Sequence, residues 1–190
     1  MQKFIDQLHL AKLSHAQIEK MISICQLKII NKKEILLKSK IICDKNFFLI
    51  EGAFVCKYID EDNAIRKTIN FFLEDFQNTF TCNDSFFTGK KTNYEIIALV
   101  DSRVIEIKKS DLDSLYLNDR LLFQFVYNLI YETLAVEINL KNKVISESSE
   151  NLYKYLITNC PQVIKVVPSK YIAEFMGITP EWLSKLKKKK

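Results

Sequence analysis

Two histidines, three glycines and three prolines are all that this 190-residue chain contains of those types. Each scarcity excludes a class of chemistry. His9 and His15 both lie near the start, so residues 29–107 offer no imidazole for a catalytic metal. Three dispersed glycines supply no glycine-rich loop to cradle a phosphate. The five cysteines, Cys25, Cys43, Cys56, Cys82 and Cys160, show no CxxC spacing. An odd, scattered set reads as free thiols in a reducing compartment, not as a disulfide framework or zinc site. No neighbouring pattern marks Cys25, Cys56 or Cys82 as reactive. A signal-peptide pattern and an unbroken run of about 18 apolar residues are also missing, so the chain is expected to be soluble and cytoplasmic.

What is present is apolar and unevenly charged. Hydrophobic residues make up 48% of the chain, enough to bury a core in one large or two small domains. Residues 1–149 carry 20 basic and 20 acidic side chains, whereas residues 150–190 carry 8 lysines and 3 acids. The whole formal net charge of +5 therefore sits at one end, the electrostatic footprint of a nucleic-acid-binding module.

Residues 1–27 read as helical, with Ser14 and Gln17 spaced as a capping box ahead of an Ile18, Met21, Ile22, Cys25 stripe. From Ile29 to Ile107 the texture becomes short runs rich in Ile, Val, Phe and Tyr. These run over Glu34–Leu37, Asn46–Ile50, Ala53–Ile59, Lys67–Phe72, Tyr94–Val100 and Arg103–Ile107. Asp60 to Asn63 reads as a hairpin turn, and Gly52 as a tight strand connection. Closely spaced strands without intervening helices predict an antiparallel barrel or sandwich. A long helix is expected from Asn118 to Ser146, with two apolar stripes. Leu122, Val126, Leu129, Thr133, Val136 and Leu140 fit heptad positions and are assigned to a dimer interface with a second copy. Phe123, Tyr127, Ile130, Leu134 and Ile138 form the other stripe. Residues 147–151 read as a hinge, followed by a helix that stops before Pro161 and a strand-like run from Val163 to Val167.

The closing stretch reads as two short helices joined by a turn. Ser169 is placed as the cap of the first, and Gly177 as the left-handed residue that ends it. Thr179 caps the second, with Pro180 at its first position. That is helix-turn-helix grammar, in which the second helix enters the major groove. Leu183, Leu186 and part of Trp182 face the first helix. The residues expected to meet DNA are Ser169, Lys170, Thr179, Pro180, Glu181, Ser184, Lys185 and Lys188. Glu can accept from cytosine and Lys can donate to guanine, so this face has base-reading chemistry.

In this order the elements resemble the Crp/Fnr family of transcription regulators, especially the short members of Bacteroidetes-type bacteria. The resemblance covers nearly the whole chain. Its sharpest piece is Tyr171 to Lys187, YIAEFMGITPEWLSKLK, which looks like the family's YIASYLGITPETLSRIRKK ending. Phe48-Leu49-Ile50-Glu51-Gly52 and Ile97-Ala98-Leu99-Val100-Asp101-Ser102 support it, the latter near the family's IEALEDS element. The resemblance implies an α+β fold with an N-terminal, jelly-roll-like antiparallel β-barrel of the cyclic-nucleotide-binding type. It implies three parts: an effector-type barrel with N-terminal helices over 1–117, a dimerisation helix over 118–146 and a DNA-binding domain over 147–190. The implied partners are double-stranded DNA with a palindromic operator, a second copy of the chain and RNA polymerase, with no membrane. Glu181 and Lys185 fall where the family reads bases.

Departures from the family pattern bear on the effector. Its cyclic-nucleotide binders carry a Gly-Glu pair for the ribose and an Arg-Ser or Arg-Thr pair for the phosphate. Thr81 to Ala98 has neither Gly-Glu nor any Arg, which argues against cyclic AMP. Ser85, Lys90, Lys91 and Thr92 are the residues left to hold an anionic effector. The cysteine cluster of oxygen-sensing members is missing, so no iron–sulfur centre is implied, and haem is unsupported because His9 and His15 both lie outside the barrel; no metal or other cofactor is expected. No wing is expected after the recognition helix, and Lys187 to Lys190 are expected to hold phosphates in its place. The expected activity is that of a sequence-specific regulator, not an enzyme. The alternatives are a small-molecule- or protein-binding module with a vestigial DNA end, or a cupin-type enzyme, which the lack of His in 29–107 disfavours.

Overall fold

The computed structural model describes residues 2–189; expectations for Met1 and Lys190 lie outside the described residues. Two helices open the chain, α1 (Gln2–Leu10) and α2 (His15–Ser23). The strands are β1 (Gln26–Ile30), β2 (Ile35–Leu37), β3 (Lys45–Glu51), β4 (Ala53–Asp60), β5 (Ile65–Leu73) and β6 (Thr79–Phe80). After a short helix α3 (Asn83–Thr88) come β7 (Tyr94–Ala98) and β8 (Ser102–Lys108). The chain then turns helical: α4 (Lys109–Tyr116), α5 (Arg120–Ser146), α6 (Ser149–Asn159), α7 (Pro161–Val166), α8 (Ser169–Phe175) and α9 (Pro180–Lys188).

The strands form two four-stranded antiparallel sheets, ordered β1-β8-β3-β6 and β2-β7-β4-β5, packed face to face as the barrel. Period-2 alternation divides β4 and β5 on one side of a register break at Cys56/Lys57. Phe54, Cys56 and Phe72 point into the barrel, where Phe72 and Phe80 stack with ring centroids 4.2 Å apart. Ala53, Val55, Phe71 and Leu73 point outward, yet they are buried as well. The C-terminal helices cover that outer face. The near-continuous apolar texture of Ala53–Ile59 is the sequence signature of a strand covered on both sides.

The N-terminal helices cover the first sheet. Phe4 meets Phe48 with ring centroids 5.0 Å apart, and Leu8, Ile18 and Met21 join the same core. The Ser14–Gln17 capping box forms as expected. Gln17 also donates to both carboxylate oxygens of Asp119 at 2.9 Å, and Asp119 in turn caps α5.

Several expectations need correction. β1 begins inside the stretch read as helical, and β6, α3 and α4 were not anticipated. Elements of two to eight residues are too short to carry a clear periodic signal. Residues 163–167 are not strand-like but belong to α7 and its cap, because Pro161 sits at the first helical position with its φ already suited to a helix. The helix cap at the start of α8 is Pro168, one residue earlier than Ser169.

The largest correction concerns α5. Leu122 and Val126 are buried against Phe48, Ile105 and Leu112 of the same chain, and Leu140 is buried with Leu152 and Tyr153. These three have no surface to offer a second copy. Leu129 and Thr133 are half-buried on the same side, and only Val136 of the assigned six is exposed. The buried part of the heptad stripe packs on the helix's own chain, on the barrel through Leu122 and Val126 and on α6 through Leu140. At 100° per residue the other stripe lies on a different face, and there Phe123, Tyr127, Tyr131, Ile138 and Ile145 are exposed.

Gly52 connects β3 to β4 with φ +112°, and a Cβ there would lie 2.2 Å from Ser102 Oγ. Ser102 Oγ is itself occupied, donating to Val100 O and accepting from Ala53 N. Gly52→Ala is therefore expected to destabilise the fold by about 3 kcal/mol or more. Urea unfolding checks this; an unchanged midpoint would contradict it.

Candidate nucleic-acid interface and barrel cavity

The end of α8 is held by paired hydrogen bonds across a left-handed glycine. Gly177 has φ +66°, Ile178 N donates to Ala173 O at 3.0 Å, and Gly177 N donates to Glu174 O at 3.2 Å. This Schellman geometry turns the chain sharply. Thr179 Oγ1 then accepts from Trp182 N at 3.2 Å, capping α9 as expected, with Pro180 at its first position. Leu183 and Leu186 are buried against Ile172, Ala173 and Phe175. The two short helices thus form one packed unit, which we call the head.

The expected DNA-facing residues all lie on the surface: Ser169, Lys170, Thr179, Pro180, Glu181, Ser184, Lys185 and Lys188 are exposed. Glu181, in the first turn of α9, has its carboxyl held below the usual range by its own N–H and by the Thr179 hydroxyl, which keeps it ionised. Lys185 and Lys188 make no ion pair among the described residues, though Lys185 Nζ lies 5.9 Å from the centre of the Trp182 ring. Two tail lysines are already engaged, one within the head and one with α6. Lys187 Nζ donates to Ser169 Oγ at 2.6 Å, and Lys189 pairs with Glu150 at 2.6 Å. Trp182 is only partly packed, and its Nε1 donates to Ser149 Oγ at the start of α6.

Sequence reasoning missed how the head is attached. Phe175 of α8 packs on Phe71 of β5 with ring centroids 5.2 Å apart. Beside them Glu174 accepts from Lys57 Nζ at 3.1 Å and from Thr68 Oγ1 at 2.5 Å. Lys57 and Thr68 are both buried, and Lys57 Nζ also lies 4.9 Å from the centre of the Tyr171 ring. The signal was Lys57, a lysine within the apolar run of β4, which needed a polar partner from another element once buried.

The second feature is a cavity of about 280 Å³ between the second sheet and α5. Its polar lining comes from Asn70, Thr81, Asn83, Asp84, Tyr94, Glu137 and Lys141. Glu137 accepts from Asn70 Nδ2 at 3.2 Å and from Asn83 Nδ2 at 3.3 Å, and burial pushes its carboxyl above the usual range. The sequence signal here was Glu137 with Lys141 four residues on, a charged pair within the apolar α5.

None of the four expected effector residues lines that cavity, which corrects the assignment. Ser85 is buried with its hydroxyl occupied, donating to Lys90 O and accepting from Cys43 N. Thr92 is buried too, its hydroxyl donating to Asp84 and accepting from Tyr94 N. Lys90 and Lys91 are exposed on the loop. These side chains brace the turn after α3 and converge on no common point.

No family model and no curated protein matches the sequence. Solved structures do match. FixK2 from Bradyrhizobium japonicum is 14% identical, with 87% of this chain and 83% of that chain covered, at TM-score 0.70. A transcriptional regulator of the Crp/Fnr family from Eubacterium rectale is 11% identical over 94% of this chain and 83% of that one, at TM-score 0.67. CLP, a c-di-GMP-responsive global regulator from Xanthomonas campestris, is 10% identical over 93% and 91%, at TM-score 0.64. At such identities the likeness is one of fold. The chain has the α+β fold of the Crp/Fnr regulators, with a barrel of the cyclic-nucleotide-binding type.

The Lys57–Glu174 contact yields a prediction. Glu174→Ala leaves Lys57 and Thr68 unpaired and is expected to cost about 2 kcal/mol, less than a fully buried pair because Glu174 is partly exposed. Adding Lys57→Met should recover most of that loss. Urea unfolding of the single and double variants is the check; additive losses would show that the contact carries no coupling.

Proposed function

We propose that the chain is a homodimeric, sequence-specific DNA-binding transcription regulator of the Crp/Fnr type. The observation that carries the reading is the head: a capped, exposed α9 with Glu181, Ser184, Lys185 and Lys188 outward, joined to α8 through Gly177, on a Crp/Fnr fold. The first turn of a second helix in such a unit meets base edges. Glu181 and Lys185 then read bases, while Ser169, Lys170, Thr179 and Lys188 hold backbone phosphates.

The uncovered face of α5 supports the dimer. By length and composition α5 is apolar enough to cross a membrane, and only 11% of its most apolar stretch is buried. Phe123 and Tyr127 lie with ring centroids 6.1 Å apart on that face, in line with Tyr131, Ile138 and Ile145. A second α5 laid along it buries these rings and leaves the two heads at a fixed separation. An operator with half-sites about one turn (~34 Å) apart follows. The cavity supports an effector other than a cyclic nucleotide: its charged groups are Asp84, Glu137 and Lys141, so two carboxylates oppose a phosphate. The working compartment is the cytoplasm.

Selection of bound sequences from a random DNA pool at two salt concentrations tests this. An enriched palindrome that persists at higher salt is expected, with Lys185→Ala relaxing the preference at one position per half-site at a cost of about 1–3 kcal/mol. No enrichment, with all binding lost as salt rises, would contradict specific recognition, and an enriched single half-site would contradict the dimer.

A further inference from the structure

One stripe of α9 is tied to the start of α6 at both ends. Trp182, Lys185 and Lys189 lie three and then four residues apart, so their side chains share a face of the helix. Trp182 opens that stripe in the first turn, beside Glu181. Its backbone N–H donates to Thr179 Oγ1 at 3.2 Å, and its indole N–H donates to Ser149 Oγ at 2.9 Å. At the far end Lys189 pairs with Glu150 at 2.6 Å. Ser149 and Glu150 belong to the first turn of α6, which starts just after α5 ends at Ser146. Both contacts therefore join α9 to the segment that leaves the long helix.

The ring of Trp182 also bears on the lysines. Lys185 Nζ lies 5.9 Å and Lys189 Nζ 5.7 Å from its centre, within range of a cation–π attraction. Lysine carries its charge on a flexible stem, and a ring beside it narrows the directions that the charge samples before binding. The indole has a single donor and no acceptor. With that donor given to Ser149, Trp182 has nothing polar left for a base edge. We propose, on the reading of the chain as a specific DNA-binding regulator, that Trp182 is a positioning residue for recognition. It fixes the direction of α9 on α6 and the resting place of Lys185, and it reads no base itself. The orientation of the α5–α6 junction reaches α9 through the Trp182–Ser149 bond.

Trp182→Phe keeps a ring and removes the N–H, and Ser149→Ala removes the acceptor from the other side. On the duplex that the native chain selects, each variant is expected to bind about fivefold more weakly, the worth of one hydrogen bond. The double variant should bind no more weakly than either single one, because both delete the same contact. Binding to an unrelated duplex of equal length should be unchanged, since it rests on the lysine charges. Unchanged binding to the selected duplex, an equal loss on both duplexes, or losses that multiply to about 25-fold would overturn the proposal. The free chain supplies a second measurement that needs no operator. Trp182 is the sole tryptophan, so the chain has one indole N–H resonance. Ser149→Ala should shift that resonance, speed its exchange with water and move the backbone amide signals of Ser184 and Lys185. An unmoved set of signals would overturn the proposal. If the native chain selects no sequence, the regulator reading fails, and this free-chain measurement alone decides whether Trp182 fixes α9.

Discussion

Phe175 of the head rests on Phe71 of the barrel, and one apolar core runs through that junction from Ala53 and Val55 to Leu183 and Leu186. The helix-turn-helix has two short helices and no room for a core of its own. Its buried side chains are shared with the outward face of β4 and β5, where each fully buried aromatic or aliphatic residue contributes roughly 1.5–3 kcal/mol. The dependence runs both ways. Without the head, Phe71 would lose the ring of Phe175, and Lys57 would lose the carboxylate that balances its burial. Any signal that reorients the head must therefore work against this core, which makes β4–β5 the natural place for the barrel to influence α9.

The long helix α5 mediates between these parts. One face is closed by the barrel through Leu122 and Val126 and by the C-terminal helices through Leu140. A third contact is polar: Glu137 reaches the cavity and receives the amides of Asn70 and Asn83. A ligand that displaced those amides would act on α5 directly, and Lys57–Glu174 lies at the other side of the same sheet. Cavity, α5 and head are thus linked through β5, which carries Thr68, Asn70 and Phe71 within four consecutive residues.

Much of the architecture was legible because it rests on local rules. Ser14 with Gln17, Gly177, and Thr179 with Pro180 each specify a cap or turn from a few neighbouring residues, and each forms as read. Six of the strands and the long helix followed from a change of periodicity. What failed was assignment of faces to partners. The stripe of α5 given to a second copy seals the protomer instead, because a heptad pattern reports an apolar face but not what covers it. The effector residues failed for a related reason: Ser85 and Thr92 suit an anion by type, but the Ser85 hydroxyl is spent on Lys90 O and Cys43 N and the Thr92 hydroxyl on Asp84 and Tyr94 N. Asn70, Glu137, Lys57 and Glu174 come from distant segments, and only the packed sheet brings them together.

The central claim is that two copies, joined along the exposed face of α5, present two recognition helices to one duplex. Native mass spectrometry of the chain on a duplex recovered by selection measures this directly. The account predicts two chains per duplex, with no single-chain complex populated as protein is added. A saturated complex holding one chain per duplex would contradict it.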